Sequence, residues 1–424
     1  MNLTDLRGAV VTGATRPALA AYERALASWQ SWRNDDAGAL AAALHDSPGF
    51  VAAHLLRAWQ LVSGRDRHRI ELARPLVAKA LSLPANERER IHLAALSAAL
   101  ADDFQKAKAL LGRALRRDPR DVVALQVAHS LDYVTGDVAG MRRRTGKALR
   151  AWSRDDPGFH AVLAMHAFAL CEAGDYAQAE DAALAALELD PLDARACHAM
   201  AHVFEMTDRA QAGARWMIAH ADAWARASTI VTHGWWHVAL FHLTAHEPER
   251  ALSIYDAHVR RERSREVSDL IDASALLWRI ALSGTHAGDR WNELAQAWEP
   301  RIDDRYCSFT DVHAMLAFVG AGDGERARRL ESVLLESANR NTRHGRTTRQ
   351  LGLPACRALI AFGRGDDVLA VRLLAGLPPI AHRLGGSHAQ RDVLHLTLQH
   401  AVRRARRPVV RRRLPVFAQL VAPG

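Results

Sequence analysis

Apolar residues recur along most of this chain at every third or fourth position, the spacing of a helix that buries one face. Alternation of apolar and polar positions, which marks half-buried strands, is almost absent. The clearest segment is HAFALCEAGDYAQAEDAALAALELDP, residues 166–191. It predicts two amphipathic helices joined by a turn at Gly174 and Asp175, with Pro191 at its end. The small residues that would let the two helices approach closely are Ala179, Ala183 and Ala186.

This unit is repeated. Weaker copies lie at 101–119, 135–157, 246–258, 322–337 and 362–379. A histidine recurs with a similar period, because steps of 35 to 38 residues back from His237 reach, in turn, His202, His166, His129, His92 and His54. A period near 34 is typical of tetratricopeptide-like helix-turn-helix repeats. We therefore predict an all-α fold, a tetratricopeptide-like helical-repeat solenoid that wraps a central concave pocket.

Composition agrees with a globular chain, since apolar residues make up 49% and charged residues 24% of its 424 positions. No stretch approaches the roughly 18 to 20 uncharged apolar residues of a membrane-spanning helix, and the N-terminus lacks the pattern of a secretion signal. We predict a cytoplasmic protein without a membrane span. The cysteines form no CxxC pair, which argues against a thiolate zinc site and a disulfide framework; they are Cys171, Cys197, Cys307 and Cys356.

The net charge of +9 is concentrated near the C-terminus. Residues 403–413, RRARRPVVRRR, hold seven arginines and no acid, which leaves +2 for the rest of the chain. The charge therefore gives no support for sequence-specific recognition of nucleic acid. We predict one helical-repeat superhelix over residues 1–400 and a basic, arginine-rich tail over residues 401–424.

Histidines accumulate between residues 198 and 242. His198 and His202 are four residues apart, as are His233 and His237, so each pair lies on one helix face. The two pairs are 35 residues apart, which places them in adjacent repeats. Four imidazoles could then converge and bind a divalent transition metal such as Zn, Mn, Fe or Ni. Carboxylates on the same face are Glu205, one turn beyond His202, and Asp269 and Asp272 in the following repeat.

Three interpretations of this segment stay open. The histidines could bind a metal ion, with acids orienting the rings. They could instead perform general acid–base chemistry without a metal, because imidazole titrates near neutral pH. They could also form a polar network that fixes the register of the repeats. An HExxH zinc protease motif is absent, since Ala199 follows His198 and Gly234 follows His233.

Two tryptophans stand between His233 and His237. Trp235 is expected on the inner surface of the superhelix, where an aromatic wall beside titratable groups is typical of a ligand pocket. Trp236 is expected in the core.

A second unusual stretch is RLGGSHAQRDVLHLTLQHAVRRA, residues 383–405. Its two glycines predict a loop that leads into a helix capped by Ser387. Arg391 and the free backbone N–H groups there would suit an anionic ligand, with His388 and Asp392 nearby. Alternatively, Arg391 and Asp392 pair with neighbouring residues and terminate the array.

Several segments together resemble the tetratricopeptide repeat protein 38 family over almost the whole chain. They are CHAMAHVFEMTDRAQAG at 197–213, HGWWHVALFHL at 233–243, DLIDASALLWRIALSG at 269–284, FTDVHAMLAF at 309–318 and GGSHAQRDVL at 385–394. The resemblance implies an α-helical repeat protein and no particular activity. The family commonly has Asn where this chain has Gly234. The matching positions are His198, His202, Glu205, His233, Trp235, Trp236, His237, Asp269, Asp272, Trp278, Asp311, His313, His388, Gln390, Arg391 and Asp392.

As a function we predict a scaffold or accessory protein that binds a small polar ligand or peptide in a His/Asp/Trp-lined concave pocket. The predicted ligand-binding residues are His198, His202, Glu205, His233, Trp235, Trp236, His237, Asp269, Asp272, His313, His388, Arg391 and Asp392. The alternative is an enzyme, a metal-assisted or His/Asp acid–base hydrolase or lyase for a small polar or anionic substrate. His237 would then be a metal ligand or base, Asp272 its orienting carboxylate and Arg391 the anion clamp, with His388 a further catalytic candidate.

Overall fold

A computed structural model describes residues 3–34, 38–64 and 66–406. Helices account for most of the described chain, which confirms the predicted all-α class. A short antiparallel hairpin precedes them, formed by β1 (Leu3–Thr4) and β2 (Val10–Val11). Two residues per strand are too few to produce a visible alternation in the sequence, so the hairpin was not predicted.

The chain divides into two compact units. The first takes the described residues up to Tyr133 together with Asp137–Gly234, and the second takes Val134–Gly136 and the described residues from Trp235 onwards. The helices up to the division are α1 (Arg16–Gln30), α2 (Ala39–Asp46), α3 (Val51–Val62), α4 (Arg67–Leu81), α5 (Glu87–Leu100), α6 (Phe104–Arg117), α7 (Val122–Val134), α8 (Val138–Ala148), α9 (Phe159–Glu172), α10 (Tyr176–Leu189), α11 (Ala194–Met206), α12 (Ala210–Ala219) and α13 (Ala221–Trp224).

Helix α14 (Val231–Thr244) is continuous, and the division between the units falls within it. The helices that follow are α15 (Pro248–Ile254), α16 (Val267–Leu282), α17 (Arg290–Trp298), α18 (Ser308–Gly320), α19 (Gly324–Ala338), α20 (Arg343–Thr347), α21 (Leu353–Gly363), α22 (Asp367–Leu374) and α23 (His388–Ala405).

The helices form a repeat array, as the sequence predicts. In the first unit the consecutive pairs α3/α4, α5/α6, α9/α10 and α11/α12 pack together, and first helices of neighbouring pairs also pack, as in α3/α5 and α9/α11. In the second unit the same holds for α18/α19 and α21/α22, with α16, α18 and α21 as adjacent first helices. First helices begin at residues 51, 87, 122, 159, 194, 231 and 267, which are 35 to 37 residues apart.

The unit at 166–191 shows why this pattern folds into a pair. Gly174 ends α9 in a left-handed conformation, with φ of 87°, which a glycine adopts without steric cost. The backbone N–H of Asp175 then donates to the carbonyl of Leu170 at 2.9 Å, and α10 begins. Side chains at the predicted close approach are fully buried, namely Ala179, Ala183 and Ala186. The helix-turn-helix prediction for this segment is confirmed.

The core of the second unit is centred on large aromatic side chains. Trp278 and Trp298 are fully buried, and the indole of Trp278 donates to Thr397 Oγ1 of α23 at 2.9 Å. Arg404, in the predicted basic tail, also belongs to this helix. Its guanidinium pairs with Asp367 and donates to the carbonyl of Phe362 at 2.9 Å. The rest of the predicted tail, 407–424, lies outside the described residues.

Among the described residues, no helix combines the length and the apolar character needed to cross a bilayer. Cys171, Cys197 and Cys356 are buried thiols and Cys307 is half-buried, and none is in a disulfide. Burial raises the pKa of the three buried thiols, so they stay protonated and unreactive at neutral pH.

Candidate metal centre

Helix α11 carries two histidines of the candidate centre. It begins after Asp193, whose Oδ1 accepts hydrogen bonds from the backbone N–H groups of Arg195 at 2.8 Å and Ala196 at 3.1 Å. Small and apolar residues let α9, α10, α12 and α13 pack around this helix, so every residue in 194–204 is buried. His198 and His202, four residues apart, therefore present their rings together in a buried environment.

Helix α14 carries the other two histidines, with His233 half-buried and His237 fully buried. Gly234 lies directly against Trp224 in the first unit. A Cβ atom at position 234 would be 2.1 Å from Cε3 of that indole ring, so no side chain fits there. This close packing is a physical reason for glycine at position 234.

Three of the rings meet at their nitrogen atoms. Nε2 of His198 lies 3.0 Å from Nε2 of His202 and 3.1 Å from Nε2 of His233. His237 is one turn further along α14, beyond the division between the units. The structure thus brings together His198, His202 and His233 from the two histidine pairs that the sequence singled out.

Hydrogen bonding alone accounts poorly for this geometry. An imidazole nitrogen offers a single in-plane position, occupied by either a proton or a lone pair. Nε2 of His198 has two nitrogen neighbours at hydrogen-bonding distance, so one good hydrogen bond cannot serve both. Three nitrogens at about 2.0–2.1 Å from one tetrahedral zinc ion would stand about 3.3 Å from each other. The observed separations are close to that value.

Aromatic rings enclose the histidines in the first unit. Phe168 of α9 lies 5.3 Å from the ring of His198 and 5.2 Å from that of His202, measured between centroids. Trp32, in the segment after α1, lies 5.2 Å from His198 in an edge-on arrangement. The loop with Trp32 is held in place by the N–H of Thr229, which donates to the Trp32 carbonyl at 2.8 Å. These rings shield part of the cluster from water.

The carboxylate expected beside the histidines is not part of the cluster. Among the described residues, the group whose ligand atoms converge consists of histidines only. Glu205 is half-buried at the end of α11. The pKa of Cys171 is raised by burial and by the charges of Glu172 and Glu205.

The two tryptophans of α14 differ in their surroundings. Trp235 is half-buried and its ring stacks on His258 with 3.7 Å between centroids. Trp236 is fully buried in the core of the second unit, where the guanidinium of Arg279 lies 5.7 Å from its ring centre. The expectation that Trp236 belongs to the core is confirmed.

The remaining predicted residues lie in the second unit. Asp272 of α16 and His313 of α18 are buried, whereas Asp269 is half-buried. Nδ1 of His313 lies 2.7 Å from the carbonyl oxygen of Phe309 and must therefore carry the proton, since that oxygen only accepts. Burial raises the pKa of Asp311, also on α18, well above its usual range, and the charge of Asp304 adds to this effect.

The start of α23 has the predicted cap. The hydroxyl of Ser387 accepts from the N–H of Gln390 at 3.3 Å, and the Gln390 side chain accepts from the N–H of Ser387 at 3.2 Å. Arg391 is buried and donates to the carbonyl of Gly386. His388 and Asp392 are exposed, so they lie on a different side of the helix from Arg391.

Sequence inspection missed Arg195 and Trp32. Arg195 lies three residues before His198 on α11, and its guanidinium stacks over the Trp32 ring at 4.2 Å. A charged residue in a helix of small and apolar residues was the available signal for Arg195. No local pattern pointed to Trp32, because it reaches α11 through a contact between segments more than 160 positions apart.

The first unit also has an open groove of about 830 Å³ along α8, α9 and α10. Exposed basic side chains line one wall, namely Arg142, Arg143, Lys147 and Arg150. His166, one member of the histidine series, contacts Thr145 Oγ1 at 2.9 Å beside this groove. Burial and the charge of Arg142 lower the pKa of His166.

Comparison with protein-family models finds no match for this chain. Among solved structures the chain is similar to yeast Tom70, with 13% identity, coverage of 87% of this chain and 85% of that chain, and a TM-score of 0.44. It is also similar to the P58(IPK) TPR domain, with 15% identity, coverage of 72% and 84%, and a TM-score of 0.22. Similarity at this level carries no functional information, and the helical-repeat fold rests on the helix pairs of the chain itself.

Proposed function

We propose that this protein binds a divalent transition-metal ion through His198, His202 and His233 and uses it to bind a small polar ligand within a helical-repeat scaffold. The observation that carries the proposal is the position of His198 Nε2, at 3.0 Å and 3.1 Å from two other Nε2 atoms. A shared cation explains both short separations at once.

The donor set narrows the choice of ion. Neutral imidazole nitrogens suit Zn²⁺, Cu²⁺, Ni²⁺ and Fe²⁺, whereas Mg²⁺ and Ca²⁺ prefer oxygen ligands. The rings must lose their protons before they bind, so acid competes with the metal. The affinity for the metal should therefore fall as the solution becomes more acidic.

An enzyme is the second candidate, because three histidines leave one position of a tetrahedral ion for another molecule. Three histidines with an exchangeable fourth position are typical of catalytic zinc, which lowers the pKa of a bound water. Such a site would support metal-assisted hydrolysis of a small polar substrate.

Elemental analysis of tag-free protein tests metal binding. Wild type should hold about one equivalent of metal after equilibration with Zn²⁺ and gel filtration, and the His233→Ala/His237→Ala variant should hold far less. The matched control is His45→Ala/His68→Ala, which removes two exposed histidines outside the cluster. A wild type that retains no metal, or a cluster variant that retains as much as the control, would refute the proposal.

Cobalt substitution tests whether a ligand position is open. The visible spectrum of Co²⁺-loaded protein should change when acetate or azide is added if an exchangeable position exists. An unchanged spectrum would indicate a closed metal site and would exclude the metal-assisted enzyme. This measurement is independent of any guess about the substrate.

A further inference from the structure

The groove in the first unit follows α8 along its whole length. Its volume of about 830 Å³ lies within the range of about 300–1,000 Å³ that is usual for ligand sites. From the first to the last lining residue on this side is about 18 Å along a helix, which equals about five residues of an extended chain. The groove therefore suits an elongated ligand. The lining residues on this side are Val138, Ala139, Arg142, Arg143, Gly146, Lys147 and Arg150.

Three basic side chains of the groove form a stripe. Arg143 and Lys147 are four positions apart on α8, and Arg150 follows in the single turn Leu149–Ala151. At about 100° per residue, the three positions lie within roughly 60° of one another around the helix axis. All three side chains are exposed, and none of them makes an ion pair within the described part of the chain.

The acids near this stripe already have basic partners. Asp175, in the turn before α10, pairs with Arg142 at 2.8 Å. The charge of Arg143 acts on Asp137, but that carboxylate accepts a hydrogen bond from Lys108 at 2.8 Å. The stripe is therefore left with positive charge that can attract an anionic partner.

The opposite side of the groove adds little negative charge. The lining residues there are His166, Leu170, Glu172, Ala173 and Gln178. Among these five, Glu172 is the acid, and its side chain is buried. Four basic residues of the lining thus stand against one acidic residue.

His166 supplies a hydrogen-bond acceptor to the groove. Thr145 Oγ1 lies 3.0 Å from the carbonyl oxygen of Met141, which only accepts, so the hydroxyl donates to it. Nδ1 of His166 lies 2.9 Å from that hydroxyl and must therefore carry its own proton. Burial and the charge of Arg142 lower the pKa of His166, so the ring is neutral at pH 7. Its Nε2 is left as an acceptor, and it bonds to none of the described residues.

These features favour an acidic peptide over a phosphate ligand. Exposed ion pairs each contribute little, so a ligand must reach several of the cations at once. Alternate residues of an extended peptide point the same way and are about 6.6 Å apart, close to the roughly 6 Å between Arg143 and Lys147 along the helix axis. A peptide backbone also offers N–H donors to Nε2 of His166, which ionised phosphate groups lack.

We propose that the groove along α8 binds an acidic segment of another protein in an extended conformation. Its carboxylates pair with Arg143, Lys147 and Arg150, and a backbone N–H donates to Nε2 of His166. The groove shares no residue with the metal ligands His198, His202 and His233. This binding therefore goes beyond the proposed function and requires no metal.

Fluorescence anisotropy with the full-length chain tests the proposal. The probe is an end-blocked peptide of alternating alanine and glutamate that carries an uncharged fluorophore, and the control peptide has glutamine in place of glutamate. The glutamate peptide should bind with or without EDTA, and the glutamine peptide should not. Arg143→Gln/Lys147→Gln/Arg150→Gln should weaken the binding by about tenfold or more, because it removes the whole stripe.

Two further variants separate the groove from charge alone. Arg24→Gln/Lys79→Gln/Arg90→Gln removes the same charge from exposed positions of the first unit outside the groove, and it should bind like wild type. His166→Phe keeps an aromatic ring but removes Nε2, so it should weaken the glutamate peptide severalfold.

The following outcomes would overturn the proposal. Equal losses in the groove variant and its matched control would show attraction to net charge alone. Wild-type affinity in His166→Phe would remove the reason for a peptide. Binding of inorganic triphosphate, single-stranded DNA or phosphatidylserine vesicles without binding of the peptide would assign the groove to another anion. No binding of the glutamate peptide by wild type would leave the stripe as a solvated face, while the metal content of the same samples reports separately on the proposed function.

Discussion

His92 and His202 both belong to the histidine series of the first unit, yet their surroundings differ. Nε2 of His92 lies 2.9 Å from Asp121 Oδ2, and its Nδ1 accepts from the indole N–H of Trp59 at 3.2 Å. Both nitrogens of His92 therefore have partners of suitable polarity within the protein. Nε2 of His202 instead faces another imidazole, that of His198. The histidine series thus serves packing in one repeat and contributes to a candidate ligand site in another.

The neighbouring repeat decides between the two outcomes. Asp121 immediately precedes α7, and it also accepts from Arg88 Nε at 2.8 Å, so the network around His92 is complete. At α11 the neighbour of His198 in the next repeat is His233, which provides an imidazole nitrogen instead of a carboxylate. Periodicity alone therefore does not identify a candidate ligand histidine. Periodicity together with a second histidine in the next repeat does. Four experiments would break or sharpen this contrast.

The largest expected effect is a loss of stability when the network of His92, Asp121 and Arg88 is broken. Asp121→Asn should lower the free energy of unfolding by about 3 kcal/mol, because it leaves the half-buried Arg88 without its counter-charge. Burial alone would raise the pKa of Asp121, but the charges of Arg88 and His92 lower it well below the usual range. The stabilisation is therefore present above the unfolded pKa of about 3.9 and is lost as the pH falls through the lower folded value.

Urea unfolding of wild type and Asp121→Asn across pH 2 to 7 measures this effect. The difference between the two curves should shrink in acid, and the metal content should be unchanged. A variant that is as stable as wild type at pH 7 would contradict the assigned role of the network.

The next effect concerns the candidate metal. Zn²⁺ at 100 times its dissociation constant should stabilise wild type by about 2.7 kcal/mol through mass action. His202→Ala should abolish this gain, whereas His54→Ala should retain it, because His54 contacts the carbonyl of Pro48 and lies outside the cluster. Differential scanning calorimetry with Zn²⁺ or EDTA provides the measurement. Equal responses in both variants would remove the distinction between the repeats.

In the second unit we expect a smaller change in the free energy of unfolding, and one of opposite sign. The pKa of buried Asp311 is raised above its unfolded value, so this residue favours the folded state fully only below about pH 3.9 and increasingly less as the pH rises. Asp311→Asn should therefore stabilise the protein at pH 7, by about 1.4 kcal/mol for each unit of the upward shift. Chemical denaturation at pH 4 and pH 7 checks the sign. Destabilisation at pH 7 would show that the carboxyl group has a partner that requires its charge.

The smallest expected effect is at the first histidine of the series. His54 makes one hydrogen bond, at 2.9 Å, to the carbonyl of Pro48. His54→Gln should cost about 1 kcal/mol, the usual value of one such bond. A loss several times larger, measured by urea unfolding, would indicate that His54 belongs to an extended network like that of His92.

Sequence patterns predicted those features of the structure that depend on the repeat period. The helix pairs, the turn at Gly174 and the two histidine pairs all follow from spacings within one or two repeats. The convergence of the nitrogens depends on side-chain rotamers, which spacing does not determine. Arg195 escaped attention because its partners, Gln30 and Trp32, lie in a distant segment.

The sequence also did not predict that the histidine cluster would lack a carboxylate. Glu205 shares a helix with His202 and lies one turn further on, and its charge acts on the thiol of Cys171. The two-residue strands of the hairpin carry too little pattern for detection. Gly234 became interpretable only through the indole packed against it.

The contacts of the segment after α1 have a consequence for folding. Repeat arrays usually assemble one neighbour at a time, because each repeat touches only the next. Here Ser228 Oγ donates to the carbonyl of Trp32 across 196 positions, and Arg195 reaches Gln30 across 165. These contacts form only when the intervening repeats are in place, so they couple the first repeats to the last ones of this unit. We expect the first unit to fold late and unfold in one cooperative step, and to lose that cooperativity when the segment around Trp32 is cut.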